Sequence, residues 1–336
     1  MRERSIHDGA RERLVCVFPG ALGDWLLALP ALRAVRDEHP GLACTMVLAD
    51  ALRPLAVASG VADATVALED AETARLFGGD GLPGWLGGRP VVYSWLGVTD
   101  AEARRRVARA ARRSRFLAVV RGDGAAHAAE AYAHAVGAPM ASRALARRAR
   151  IAPPASADAD ALLARAGGPV LAVQVGAGAR AKRWDPAGFV RLAEWWRREG
   201  GAVVEIAGPA EAGEPPVLGA PMARDWALPD LAALLSRVAL FVGHDSGVGH
   251  LAGAVGAPGV VLFGPTDPAR WRPLSARLVV LRARAYGADG ITLDALPVAR
   301  VLAACRRRVA LTTSDPEISV AKRVPNPAGS PRRVSE

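Results

Sequence analysis

The sequence predicts an α/β protein built as two Rossmann-like domains facing a cleft, each a parallel sheet wrapped by helices. Short apolar runs alternate with amphipathic stretches, polar glycine-bearing turns punctuate the joins, and the pattern starts afresh beyond a proline-rich stretch near mid-chain. At 336 residues there is room for two ordinary cores. Hydrophobic residues make up 51% of the chain but aromatics only 5%, so helix and sheet are expected to meet through Ala, Val, Gly and Leu.

The first half opens with a strand over Leu14 to Phe18, the loop Pro19 to Asp24, and a helix from about Trp25 to His39 that stops before Pro40 and Gly41. Further strands are expected at Cys44 to Leu48 and Val91 to Trp95, with helices near Arg53 to Ser59, Glu102 to Arg112 and Ala125 to Val136. Between Leu145 and Pro169 the chain is rich in Ala, Pro, Arg and Asp, which puts the linker around Ala152 to Ala157 and the domains at 1–152 and 153–311. The second series runs strand Val170 to Val175, helix Pro186 to Glu199, strand Ala202 to Ala207, helix Leu228 to Ser236, strand Val238 to Val242, helix Val248 to Val255 and strand Gly259 to Phe263. Residues 312–336 are polar, hold four prolines and lack apolar periodicity, so disorder is expected there.

Composition excludes several classes. No apolar run approaches the roughly 20 uncharged residues of a membrane span, and Leu14 to Leu32 carries Asp24 in its middle, unlike a secretory signal. Cys16, Cys44 and Cys305 form no CxxC pair, which argues against disulfide and zinc frameworks and for the cytoplasm. The net charge is +10, and twelve arginines between residues 101 and 150 face only Glu102, Asp123 and Glu130. Such a block suits phosphates, anionic lipid or an acidic ligand, or is simply a solvated face. Helix-turn-helix, RNA-binding and zinc-finger patterns are missing, so nucleic acid is not an expected partner.

Three loops carry the candidate chemistry. In Phe241 to Pro268 an apolar strand leads into His244-Asp245-Ser246-Gly247 and a helix start, where unpaired N–H groups would meet an anion. An ordinary capped helix is the competing reading. In Val173 to Phe189 a strand ends in Gly176-Ala177-Gly178, followed by Lys182, Trp184 and a helix begun by Asp185-Pro186. This is neither a Walker loop nor a complete GxGxxG. In the loop Pro19 to Asp24, Asp24 is a candidate general base at the carboxyl end of the first strand, or an N-cap. Asp158-Ala159-Asp160 spells a DxD but has no strand before it, so it is read as solvated and no metal is expected.

DSGVGHLAGAVGAPGVVLFGPTDP, FPGALGDWLLALPALRAVRDEHP and the Lys-x-Trp-x-Pro pattern after a Gly turn together resemble glycosyltransferase family 9, the ADP-heptose lipopolysaccharide heptosyltransferases. The resemblance covers about 270 residues. It implies the glycosyltransferase B architecture, with an acceptor-side first domain and a nucleotide-sugar-binding second domain. It implies Asp24 as catalytic base, and Gly176, Gly178, Lys182, Glu211, Ala227, Asp245, Ser246, Gly247 and His250 as the donor site. Gly23, Arg53 and Arg112 are the acceptor-side candidates. The implied reaction is an inverting, metal-independent transfer of heptose or a related sugar from an ADP-sugar to a lipopolysaccharide-core hydroxyl, with no cofactor beyond the donor. The expected partners are the nucleotide sugar, an anionic glycolipid or lipopolysaccharide-core acceptor, and the anionic inner-membrane surface, touched peripherally from the cytoplasm. Gln174 stands where the family often has His. Two alternatives stay open: a nucleotide-sugar-converting enzyme of the same fold, and a non-catalytic protein that binds at the membrane surface.

Overall fold

The structure is a computed structural model describing residues 12–78, 81–122, 124–177, 180–208, 211, 213–283 and 292–313. Its first half runs β1 (Arg13–Phe18), α1 (Leu22–Glu38), β2 (Ala43–Leu48), α2 (Arg53–Ala58), β3 (Ala64–Ala67), α3 (Ala71–Ala74), β4 (Val91–Ser94), α4 (Ala101–Ala110), β5 (Arg113–Phe116), α5 (Ala128–Ala135) and α6 (Ser142–Arg148). Its second half runs α7 (Ala157–Ala166), β6 (Val170–Gln174), α8 (Pro186–Arg198), β7 (Ala202–Ala207), β8 (Met222–Arg224), α9 (Leu228–Arg237), β9 (Leu240–His244), α10 (Gly247–Val255), β10 (Gly259–Phe263), α11 (Pro268–Trp271), β11 (Leu278–Arg282) and α12 (Val298–Thr313).

Each half is a parallel sheet, in the order β3-β2-β1-β4-β5 and β11-β10-β9-β6-β7-β8. The central strands are continuous apolar runs because helices cover both of their faces. In the first sheet the chain steps from β1 through β2 to β3, then returns to the other side of β1 for β4. In the second it steps from β6 to β8, then returns beside β6 for β9. Each reversal opens a crevice at the carboxyl ends of the strands it separates. The loop before Asp24 leaves β1, the Gly176 loop leaves β6, and Asp245 to Gly247 leaves β9, so the three motif loops all sit at reversals.

The halves do not merely face each other. α1 packs on α10, α2 touches α9, and a single cluster of buried side chains runs from Leu14 and Trp25 through Leu29 into Leu231, Leu251 and Val261. Leu22 lies against Gly247 and the imidazole of His250 against Gly23. The carboxyl edges of the two sheets therefore meet at a packed seam.

Several elements differ from expectation. α1 starts at Leu22, so Gly23 and Asp24 lie within its first turn. β9 ends at His244, which belongs to a buried strand end and not to the turn. β3, β5, β8, β11, α3, α6, α7, α11 and α12 add to the predicted set. β5, reading Arg-Ser-Arg-Phe, hides its role because its arginines are tied locally: Arg115 donates to the carbonyls of Ala135 and Val136 at the end of α5, and Arg104 lies over the ring of Phe116. α12 continues to Thr313, two residues into the stretch expected to be disordered, and the rest of that stretch lies outside the described residues.

Candidate functional site

On the first-half side the site begins at the α1 N-terminus. Its N-cap is Ala21, which has no side chain to accept an orphan N–H. Asp24, in the first turn, supplies the acceptor by reaching back to the Ala21 N–H. Burial pushes the Asp24 carboxyl above its ordinary value, while the Ala21 N–H and the charges of Arg121 and Lys182 partly offset this. The result is a carboxylate of raised proton affinity, in the field of cations from both halves.

On the second-half side the central contact is Lys182 Nζ to Asp245 Oδ2, at 2.8 Å. Asp245 is buried at the entry to α10, and His250 Nε2 stands 4.0 Å from its other oxygen. Burial pushes His250 down to about 4, so its ring is neutral at neutral pH. Ser246 is the N-cap of α10: its hydroxyl accepts the Gly249 N–H and donates to Gln174 Oε1 at 2.6 Å. The Gly247 end of α10 thus meets the end of β6, with α10 N–H groups turned toward the seam.

The Lys-x-Trp-x-Pro spacing has a structural cause. Trp184 is buried, stacks edge-on with Phe189 at 4.9 Å and donates its indole N–H to the Leu296 carbonyl. Its backbone N–H donates to His244 Nε2 at 2.9 Å. That requires the proton of His244 to sit on Nδ1, where it is donated to the Gly176 carbonyl at 3.0 Å. Burial holds His244 near 4, and the neutral ring ties the ends of β6, β9 and the loop before α8 together. Lys182, two residues before Trp184, is thereby aimed at Asp245.

Beside this lies a small recess lined in part by Gly176, Ile206, Glu211, Met222 and Arg224. Glu211 is buried; its Oε2 accepts the Gly208 N–H at 2.9 Å, while Oε1 has no hydrogen-bond partner among the described residues and lies 3.8 Å from Arg183. A Cβ at position 176 would sit 2.0 Å from Glu211 Oε1, so only glycine leaves that carboxylate its place. Arg224 holds the Glu211 carbonyl at 2.9 Å, and Ala227 follows as the N-cap of α9.

The sequence profile of Glycosyltransferase family 9 (heptosyltransferase) matches residues 101–290, more than half of the chain. The chain belongs to glycosyltransferase family 9. This family 9 chain is 30% identical over 153 residues to lipopolysaccharide heptosyltransferase 3 of Escherichia coli. The match covers 40% of the chain and 45% of that protein, so less than half of the curated relative's length is spanned. The solved glycosyltransferase family 9 structure from Veillonella parvula DSM 2008 aligns with a TM-score of 0.70 at 18% identity, covering 89% of this chain and 98% of its own. E. coli ADP-heptose lipopolysaccharide heptosyltransferase II aligns with a TM-score of 0.67 at 17% identity, covering 89% and 99%. These likenesses establish the fold, the two-domain glycosyltransferase B architecture.

Within the family 9 fold the candidate residues separate into groups. Asp24, Lys182, Asp245, Ser246, Gly247 and His250 converge at the seam, with Gly176, Glu211 and Ala227 on the second-half side. Gly178 lies outside the described residues. Gly23 packs in the seam, where a Cβ would stand 3.2 Å from the His250 ring. Arg112 precedes β5 at the amino edge of the sheet, the edge opposite Asp24, and pairs with Glu12. Arg53 lies beyond the carboxyl end of β2, bound to Asp50 at 2.8 Å and to Thr65. Within the arginine block, Arg106, Arg115 and Arg150 donate to carbonyls, while Arg105, Arg112, Arg113 and Arg148 pair with carboxylates. Asp158 and Asp160 fall in the first turn of α7, where residues two apart point to different sides, and Asp160 pairs with Arg237. Among the described residues no group of three or more His, Cys, Asp or Glu side chains gathers as a metal site. No helix among them is long and apolar enough to cross a membrane. Arg270 belongs to the site's framework and was not singled out from the sequence, while His244, read there as part of the turn, serves instead as a tether at a strand end.

Proposed function

We propose that this family 9 chain is an inverting glycosyltransferase moving heptose or a related sugar from an ADP-sugar to a hydroxyl of a lipopolysaccharide-core-type acceptor. The observation that carries the reading is the meeting of Asp24, in the first turn of α1, with Lys182 and the α10 N-terminus across one seam. In the reaction the acceptor hydroxyl attacks the anomeric carbon as Asp24 takes its proton. The bond from that carbon to the diphosphate oxygen breaks and its electron pair stays on phosphate. Lys182 and the α10 N–H groups face that growing charge, which stabilises the transition state more than the ground state. Asp245, the second acid, is held by Lys182 on the donor side and is not offered as a nucleophile; a single displacement with inversion follows, without a metal. Glu211 would accept from a ribose hydroxyl through Oε1, with the adenine passing the Ala227 backbone. The names of the relatives, an ADP-heptose transferase and a lipopolysaccharide transferase, favour the same donor and acceptor. Three free cysteines suit a cytoplasmic protein, and the acidic acceptor would bring it to the inner-membrane surface.

The test is transfer from ADP-heptose to truncated lipopolysaccharide, with ADP, UDP, GDP, CMP and NAD compared as ligands by thermal shift. Stabilisation by ADP and transfer lost in Asp24→Asn are expected. Donor conversion without acceptor would favour a nucleotide-sugar-converting enzyme, and a cellular role untouched by Asp24→Asn would favour a non-catalytic protein.

A further inference from the structure

The chain between β1 and α1 doubles back on its own last strand residue. A Cβ at Gly20 would stand 2.5 Å from Cε1 and 3.0 Å from Cζ of Phe18, and 2.8 Å from the Cβ of Asp24. Ring edge and base thus close on one point, and only a residue without a side chain fits there. Gly20 does not have a positive φ, so close contact and not backbone freedom demands the glycine. The Phe18 ring is fully buried and has nowhere to retreat. It meets Trp95, the residue after β4, edge-on at 5.6 Å, and Tyr132 of α5 at 5.8 Å. Tyr132 is held in turn, its hydroxyl accepting the Val120 N–H at 3.3 Å. The start of α5 is tied to the second half: Arg270 donates to the carbonyls of Gly124 at 2.6 Å and Ala126 at 2.8 Å, and His127 donates through Nε2 to the Arg272 carbonyl at 3.0 Å. The Trp95 side chain is fixed by packing alone, since its buried indole N–H has no hydrogen-bond partner among the described residues.

We propose that Phe18 is a positioning residue for the base: its ring, wedged between Trp95 and Tyr132, is the stop against which the Gly20 turn lays Asp24. The Ala21 N–H orients the carboxyl, while the ring fixes where the side chain that carries it stands. The brace comes from β4 and α5, so first-half packing, and not the donor, sets how far Asp24 reaches into the seam. A reacting group misplaced by about 1 Å costs on the order of 10²-fold in rate, and here that loss would leave the donor site of the second half untouched. The inference rests on Asp24 being the base of the proposed reaction, but the first part of its test needs no substrate.

Four variants separate the ring's role from general stability. Phe18→Leu shortens the stop, Trp95→Leu removes its brace, and Trp95→Phe keeps a ring there. Val15→Ala truncates an equally buried residue of β1 that faces the other side of the sheet. In protein carrying 13C-labelled aspartate, the Asp24 carboxyl signal, assigned by its loss in Asp24→Asn, is followed against pH. Its midpoint is expected to fall toward the ordinary aspartate range in Phe18→Leu and Trp95→Leu, because water then reaches a carboxyl that burial holds above that range. It is expected to stay near the parental value in Trp95→Phe and Val15→Ala. With ADP-heptose and truncated lipopolysaccharide, kcat is expected to fall about tenfold or more in Phe18→Leu while donor KM and ADP affinity stay within about twofold. Trp95→Leu carries the test if Phe18→Leu does not fold. A midpoint unmoved in Phe18→Leu and Trp95→Leu, an equal shift in Val15→Ala, or ADP affinity falling together with kcat would each overturn the proposal. A parent protein that neither binds ADP nor transfers sugar would instead sink the transferase reading, and the Asp24 titration would still show whether the ring holds the carboxyl.

Discussion

Lys182 has two duties, and they must be separated when it is changed. Its ammonium partners a buried aspartate, so Lys182→Ala strands the Asp245 charge near the α10 N-terminus. Because Lys182 is itself about a third exposed, the expected loss is about 2 kcal/mol and not the larger cost of a fully buried pair. Thermal midpoints of the parent and Lys182→Ala proteins without ligand measure it, and the ADP-induced shift must be referred to each protein's own baseline. For Asp24 the sign runs through burial. Its raised carboxyl is an active base only above its own midpoint, so kcat/KM is expected to rise with pH along a limb lying above the ordinary aspartate range. Asp24→Asn should remove transfer by about 10²-fold or more while leaving ADP binding in place. These residues were legible because a carboxylate or a lysine beside a glycine turn at a strand end has few structural reasons to be there. The tethering roles of His244 and Arg270 were not, since they are set by partners 68 and 146 positions away.

At the scale of elements, the close approach of α1 and α10 depends on small residues at both N-termini. Gly23→Ala would bring a methyl to 3.2 Å from the His250 ring, and a loss of about 1–3 kcal/mol is expected from overpacking, read from urea unfolding. Gly176→Ala acts differently: its methyl overlaps Glu211, so ADP affinity is expected to fall by about tenfold or more, as it should in Glu211→Ala, where a charged-group hydrogen bond to ribose is lost. Comparing the two variants by calorimetric titration checks that Gly176 works through the carboxylate. The buried central strands were readable as apolar runs. The edge strands β5 and β8 were not: they are short, end or begin on arginine, and owe their pairing to the neighbour already in place. The early start of α1 was hidden because Ala21 is a poor cap and the compensating acceptor stands three residues on.

Across the whole molecule the two sheets share one core cluster through the seam. A single cooperative calorimetric transition is therefore expected in place of two, and ADP should shift it as a unit. Acid should weaken the same structure. His244 and His250 are held near 4 by burial while the unfolded chain titrates near its ordinary value of 6.5. Between those values the unfolded state binds more protons, so stability falls as pH drops from about 6.5 to 4, by on the order of 3 kcal/mol per ring. Thermal midpoints over that range should fall less steeply in His250→Gln than in the parent. The reversal of strand order in each sheet has a longer reach. The proposed base hangs from β1 and the donor loops from β6 and β9, whereas the segments leaving β2, β3 and β4 belong to neither. Evolution is thus free to rewrite those segments, insertions included, and explore new acceptors while the reacting groups stay on their own strands.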